Sequence, residues 1–139
     1  MPEPLSGINA VPVVCGIIEQ GNLFLAALRG PAQSNADLWE FPGGKVLRGE
    51  TAEAALQREL REELGIEVSV TTSLPPHTFT YPWITIELIP FICTFVHGEP
   101  CLHEHAEIRW VTKKQAQALE WAPADVAVLR EYYAFKIHP

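Results

Sequence analysis

Cysteine is scarce and poorly spaced for a covalent or metal framework. Cys15, Cys93 and Cys101 are an odd three with no paired interval, which argues against a disulfide scaffold or a zinc ribbon and makes a reducing cytoplasm the expected home. Long hydrophobic runs are missing as well. The apolar stretch 11–18 is far shorter than the ~20 residues a membrane-spanning helix needs, and the opening MPEPLSGINA lacks the basic region that begins a secretory leader. Neither secretion nor a membrane partner is expected. Positive charge is in short supply, with 10 Lys and Arg against 17 Asp and Glu and a net charge of −7. Nucleic-acid polymers are bound through basic surfaces that neutralise phosphates, so a polymer is an unsuitable partner, and a small polyanionic substrate has to arrive with cations. Repeats, low-complexity tracts and linkers are absent, and 139 residues suit a single domain, 1–139, with one unstapled core.

What is present is an unusually acidic helix. Residues 44–66 read GKVLRGETAEAALQRELREELGI, and the stretch 51–64 has the marks of a helix: Thr51 as N-cap, Glu53 in the first turn, strong helix formers, and Gly65 as a left-handed stop. Ala52, Leu56, Leu60 and Leu64 recur every fourth residue as an apolar stripe suited to lying on a sheet. Positions three and four apart are neighbours on a helix, so Glu59 sits beside both Glu62 and Glu63. Like charges that close destabilise a bare helix, whereas hard cations such as Mg²⁺ bind through such carboxylates together with substrate phosphates. A solvated face laced by Arg58 and Arg61 is the plain alternative for an Arg- and Glu-rich helix.

Around this helix the chain reads as mostly strand. Residues 11–19 and 22–29 suit a strand pair turning at Gln20-Gly21, and 67–73, 78–81, 84–96 and 107–111 are strand-like, with Pro75-Pro76 and Pro82 marking breaks. Residues 113–120 predict a short helix and 124–133 a longer one. Strands around one central helix with another at the C-terminus predict an α/β (α+β) fold, an α/β/α sandwich on a mixed sheet. Phe24, Phe91, Phe95 and Tyr132 are expected in the core.

The segment Leu38-Trp39-Glu40-Phe41-Pro42-Gly43-Gly44-Lys45 reads as a loop in which paired glycines permit close backbone approach and a lysine suits phosphate. Together with the helix it resembles the Nudix box: Gly44, then Glu50, then Arg58-Glu59-Leu60, Glu62-Glu63 and Gly65-Ile66 at the required intervals. A chance match is rarer than about one in a million at ordinary residue usage, and it displaces the solvated-face alternative. Similarity reaches beyond the box, through 29–34 (RGPAQS), His103-Glu104-His105 with Trp110-Val111, and Ala122-Pro123-Ala124-Asp125. It is to the MutT-like branch of the family, which includes bacterial CTP pyrophosphohydrolases and 8-oxo-dGTP diphosphatases.

This resemblance implies the Nudix fold and hydrolysis of a nucleoside triphosphate to a monophosphate and pyrophosphate, supported by Mg²⁺ or Mn²⁺. It implies that Glu59, Glu62 and Glu63 hold one to three ions with the Gly43 carbonyl, that Arg58 orients the box carboxylates, and that Lys45 faces the phosphates. Glu50 is expected to brace the loop. Glu59 and Glu104 are both candidates for the general base, Glu104 matching a loop position that supplies a further metal-site carboxylate. His103 and His105, two apart without a third ligand nearby, fall short of a zinc set. Arg29 and Phe41 match or adjoin positions that contact the nucleotide. Asp125 stands where the family carries a base-reading asparagine. A carboxylate offers acceptors only, so it suits the cytosine amine or guanine N1 and N2 over thymine and uracil, with helix capping as the competing role. Trp83, between the strand-like stretches 78–81 and 84–96, replaces the more polar residue often found there in the family, and Trp39 and Trp121 suit packing at loop boundaries better than base stacking. The substrate class expected is cytosine nucleotides (CTP, dCTP, 5-substituted dCTP) or 8-oxo-dGTP in nucleotide-pool sanitation, by a monomer or homodimer. A Nudix enzyme of another linked diphosphate and a non-catalytic sensor are the rivals, and the complete acidic set disfavours the sensor.

Overall fold

The computed structural model describes residues 9–137; residues 1–8, which carry most of the segment read for a leader, and 138–139 lie outside them. Strand β1 (Val11–Gln20) turns at Gly21 into β2 (Leu23–Leu28), and two short strands follow, β3 (Trp39–Glu40) and β4 (Gly43–Lys45). Helix α1 (Ala52–Leu64) leads to β5 (Glu67–Ser73), the hairpin β6 (His77–Tyr81) and β7 (Ile84–His97), then β8 (Glu107–Val111), the short α2 (Lys113–Ala116) and α3 (Pro123–Ile137). Among the described residues the strands form one mixed sheet in the order β3-β2-β1-β7-β5, with β8 on β2, β4 on β1 and β6 on β7. Among the described strands β1 and β7 are the one parallel pair, from Val11 opposite Ile86 to Glu19 opposite Thr94.

Strand β1 reads as an almost unbroken apolar run because both of its faces are covered. Cys15 and Ile17 join Phe24, Ala26 and the α3 residues Ala124, Val128, Leu129 and Tyr132 on one side. Val14 and Ile18 join Leu25 and the α1 residues Ala55, Leu56, Leu60 and Leu64 on the other. The expected three layers are therefore present, with helices on both faces of the sheet. Phe24, Phe91 and Tyr132 are buried, and Phe95 packs at the margin of the α1 layer.

Helix α1 follows its sequence signals closely. Thr51 Oγ1 accepts from the Ala54 amide at 3.1 Å, and Gly65 sits at φ 71° with its amide returned to the last turn. Elsewhere the boundaries shift for identifiable reasons. Helix α2 ends at Ala116 instead of continuing to 120; Thr112 and Gln115 form a capping box, and the Ala116 carbonyl accepts from the buried Trp121 indole. Helix α3 starts at Pro123, where a missing N–H costs nothing in the first turn, and runs past 133.

The segment read as a loop contains two strands, and its glycines answer to the protein rather than to a ligand alone. A Cβ on Gly43 would lie 1.9 Å from the Val14 carbonyl oxygen, because β4 pairs Gly43 with Cys15 and Gly44 with Val14. The obstruction is backbone and cannot swing aside. Gly43→Ala is expected to destabilise the fold by about 1–3 kcal/mol through forced strand displacement. Leu60→Ala, which empties a fully packed site under the sheet, is expected to cost about 2–5 kcal/mol. Urea denaturation of both variants checks these values, and a Gly43→Ala midpoint equal to wild type would refute the backbone conflict.

Candidate active site

Arg58 organises the acidic edge of α1. Its guanidinium holds Glu50 with two bonds, Nε to Oε2 at 2.7 Å and Nη2 to Oε1 at 3.0 Å, donates to Glu62 Oε1 at 3.0 Å, and caps the Lys45 carbonyl at 3.1 Å. Glu59 Oε2 lies 3.6 Å away. Glu50 also accepts from the Leu47 amide at 2.9 Å, so the loop before the helix is braced as expected. Arg58 and that amide together lower the Glu50 carboxyl to about 2.

The three box glutamates are not equivalent. The Glu62 side chain is 60 % exposed and turned to Arg58, whereas Glu59 and Glu63 are 14 % and 26 % exposed and face a cleft of about 620 Å³. Glu59 lies directly against Gly44, where any Cβ would come within 2.1 Å of its Oε2. Partial burial raises the Glu59 carboxyl, with Arg58 pulling the other way. Burial, then the charges of Glu59 and Glu104, push Glu63 up to about 7.

The cleft gathers most of the residues singled out from the sequence. Gly43, Lys45, Glu59, Glu63 and Glu104 line it together with Arg29, Phe41 and Asp125, and Tyr81, Trp83, Ile84, Ile86 and Leu88 add mostly apolar surface. Arg58 and Glu62 stand outside the lining. Arg29 is no free surface arginine: Nη1 pairs with Glu40 at 2.6 Å, and Nε donates to the Ser34 carbonyl. Phe41 is both core and cleft wall, 2 % exposed and 4.8 Å from the Trp121 ring. Asp125 is buried, and its Oδ1 accepts from the Phe41 amide at 2.9 Å, which ties α3 to the turn between β3 and β4. Burial, reinforced by Glu40, holds its carboxyl well above the usual range. Trp39 and Trp121 are buried packing residues.

Sequence reasoning passed over Glu40 and the structural use of His105. Glu40 bridges Arg29 and the buried imidazole of His105, whose Nε2 lies 2.8 Å from Glu40 Oε2. His105 Nδ1 has no hydrogen-bond partner and stands 3.9 Å from Glu63 Oε2, so this histidine fastens the loop of Glu104 beside Glu63. His103 lies near the Cys101 thiol instead, 3.7 Å away. Among the described residues no three acidic, thiol or imidazole side chains converge on one point.

The donor set nonetheless fits a hard divalent cation. Five carboxylates (Glu40, Glu59, Glu63, Glu104, Asp125) line the cleft against two cationic groups (Arg29, Lys45); burial is the main cause raising both Glu59 and Glu63, with Glu62 adding at Glu59 and with Glu59 and Glu104 adding at Glu63. Oxygen donors of this kind suit Mg²⁺ or Mn²⁺ better than zinc.

Comparison with known proteins agrees. The NUDIX domain profile matches residues 9–132. This chain belongs to the Nudix family. Nudix hydrolases generally use divalent metal ions. The chain is 40 % identical over 130 residues to the CTP pyrophosphohydrolase of Escherichia coli (strain K12), covering 93 % of this chain and 96 % of that protein. It is 36 % identical over 121 residues to the 8-oxo-dGTP diphosphatase of Haemophilus influenzae, covering 86 % and 88 %. Among solved structures, the E. coli ORF135 protein superposes with a TM-score of 0.85 at 37 % identity over 98 % of both chains. The MutT protein of Methanosarcina mazei Go1 gives 0.82 at 25 % identity, over 95 % of this chain and 98 % of that one.

Two outcomes follow from the Arg58 and Gly44 geometry. Glu50 has a depressed folded-state pKa, so its contribution to stability is complete above its ordinary value of 4.5 and is lost as pH falls toward 2. Glu50→Gln should therefore destabilise at neutral pH and show a shallower loss of stability between pH 5 and 2 than wild type; parallel acid limbs would contradict the pairing. The nearest obstruction to Gly44→Ala is the Glu59 side chain from its carboxylate to Cγ, so the variant should leave the denaturation midpoint within about 1 kcal/mol of wild type while displacing that side chain. Denaturation together with divalent-ion titration separates the two effects.

Proposed function

We propose that this chain is a Mg²⁺-dependent pyrophosphohydrolase that converts a nucleoside triphosphate and water into a monophosphate and pyrophosphate, acting on cytosine nucleotides (CTP, dCTP, 5-substituted dCTP) or on 8-oxo-dGTP. One observation carries the reading. Glu59 and Glu63 on the acidic edge of α1 line the same cleft as Asp125 and the apolar side chains of Ile84, Ile86 and Leu88, which supports a ligand with both a polyphosphate and a base. Its volume is in the range of small-ligand sites, and the names of the relatives from E. coli and H. influenzae support the substrate class.

Glu59, Glu62, Glu63 and Glu104, with the Gly43 carbonyl, would hold the ion, Mn²⁺ serving in place of Mg²⁺. Bound there, a divalent cation neutralises phosphate oxygens and acidifies the attacking water. Lys45 faces the phosphate chain as a point charge. Arg58 restrains Glu62 and Glu59, so that the carboxylates do not spread apart under their own repulsion. The proton of the attacking water passes to a cleft carboxylate, Glu59 or Glu104. Arg29 and Phe41 flank the nucleoside end. Asp125, with Oδ1 occupied by the Phe41 amide, has its second oxygen to accept from the cytosine amine or the guanine N1 and N2 donors. Hydrogen bonds from the base favour the charged carboxylate against the effect of burial.

This reading carries with it a cytoplasmic home and a monomer or homodimer with no nucleic-acid polymer or membrane as partner. Three unpaired cysteines, the net charge of −7 and the absence, among described residues, of a helix long and apolar enough to cross a membrane support it.

A Mg²⁺-supported hydrolysis screen over CTP, dCTP, 5-substituted dCTP, dGTP and 8-oxo-dGTP, with pyrophosphate and phosphate measured separately, tests the reaction. Pyrophosphate release from cytosine or 8-oxoguanine nucleotides is expected. Preference for thymidine or uridine nucleotides would remove the role given to Asp125, and activity confined to nucleotide sugars or dinucleoside polyphosphates would overturn the substrate class. Glu59→Gln and Glu62→Gln should each lower turnover about 100-fold or more without loss of stability, since each removes a charge from a crowded cluster. Glu104→Gln compared with Glu59→Gln assigns the base.

A further inference from the structure

Trp83 is an anomaly that the chemistry above leaves unused. Among the described residues it is the one aromatic among the exposed large hydrophobics, 56 % accessible, whereas Trp39 and Trp121 are buried. It sits in the two-residue turn between β6 and β7, on the wall of the cleft. An indole left in water at the mouth of a cavity forgoes burial that the same residue could obtain by folding back onto the sheet.

The ring is held where it stands. Trp83 stacks on Tyr81 with centroids 5.0 Å apart and planes 14° from parallel. Tyr81 is buried, its ring 4.7 Å from Phe79, and its hydroxyl oxygen accepts from the Ala124 amide at 3.0 Å. That amide belongs to the residue before Asp125, so the aromatic pair and the buried carboxylate share one anchorage on α3. Across the hairpin the Thr80 and Thr85 hydroxyls bond at 3.0 Å, which pins the turn. With Tyr81 against one face of the indole, the accessible area lies on its other face and edges.

We infer that Trp83, backed by Tyr81, is a stacking shelf for the heterocyclic base of the nucleotide, a substrate-binding contact for the reaction proposed above and resting on that reading. Asp125 reads the polar edge of the base while Trp83 takes its π face, a contact that any base can make. The shelf therefore strengthens binding of every nucleotide over a base-free polyphosphate and leaves the choice among bases to Asp125. Stacking is the same in ground and transition states, so its loss acts on KM rather than on kcat.

Trp83→Leu, which keeps bulk and removes the ring, should raise KM for the preferred nucleotide about 5- to 150-fold with kcat within twofold of wild type. Trp83→Phe should restore most of the loss. Hydrolysis of inorganic tripolyphosphate, which has no base, should be equal in all three proteins. A metal-free arm separates failure of the shelf from failure of the reaction: tryptophan fluorescence is titrated with CMP, dGMP and ribose 5-phosphate in wild type and Trp83→Phe. Quenching by the two nucleotides in wild type only, with none by the sugar phosphate, supports the shelf even if no triphosphate is turned over. Unchanged KM in Trp83→Leu, or equal quenching in Trp83→Phe, overturns it whatever the enzyme hydrolyses.

Discussion

One guanidinium makes the acidic edge of α1 tolerable. Glu59, Glu62 and Glu63 would repel one another on any isolated helix. Here Arg58 binds Glu62, stands close to Glu59 and is itself locked by Glu50 and the Lys45 carbonyl. The helix is secured from beneath by Ala55, Leu56, Leu60 and Leu64, whose burial does not depend on the charges above. Hydrophobic burial thus supplies the stability, and Arg58 supplies the geometry. Glu63 lies on the cleft side, where burial and then the charges of Glu59 and Glu104 raise its pKa.

The sheet does the complementary task of bringing distant segments to that edge. Strand β4 lies against β1 only because Gly43 has no Cβ, and Gly44 leaves room for the Glu59 carboxylate. Strand β7 and its hairpin carry mostly apolar lining, and α3 delivers Asp125 to the turn between β3 and β4 through the Phe41 amide. The loop of Glu104 is fixed by His105 on Glu40. Each attachment joins residues far apart in the chain, so the cleft exists only in the finished fold.

That distinction explains what was legible beforehand. Helix α1, with Thr51 and Gly65 at its ends and its apolar stripe, could be read because caps and periodicity are local. The box spacing made Glu59, Glu62, Glu63 and Arg58 readable for the same reason. Most strands were placed to within a residue or two by composition and the flanking Gly and Pro. What could not be read was whatever depends on a partner elsewhere: β3 and β4, which are strands only by pairing with β2 and β1; Glu40, whose worth lies in reaching both Arg29 and His105; and Tyr81, placed by an amide of α3. The outward turn of Glu62 follows from the helix itself, since Glu62 is the i+4 neighbour of Arg58 while the adjacent Glu63 points to a different side.

The parallel pairing of β1 with β7 has a consequence for how the molecule is made. Val11 cannot meet Ile86, nor Glu19 meet Thr94, until the ribosome has released more than half of the polypeptide. Until then β1 is one of the most apolar segments of the chain and lacks the neighbour that will flank it. Long-range closure of this kind slows folding relative to local pairing, and a nascent chain with unpaired apolar strands is prone to association. The turn at Gly21 pairs Glu19 and Gln20, the polar end of β1, with β2, so the apolar stretch before them gains its first strand partner in β4 and its full one in β7.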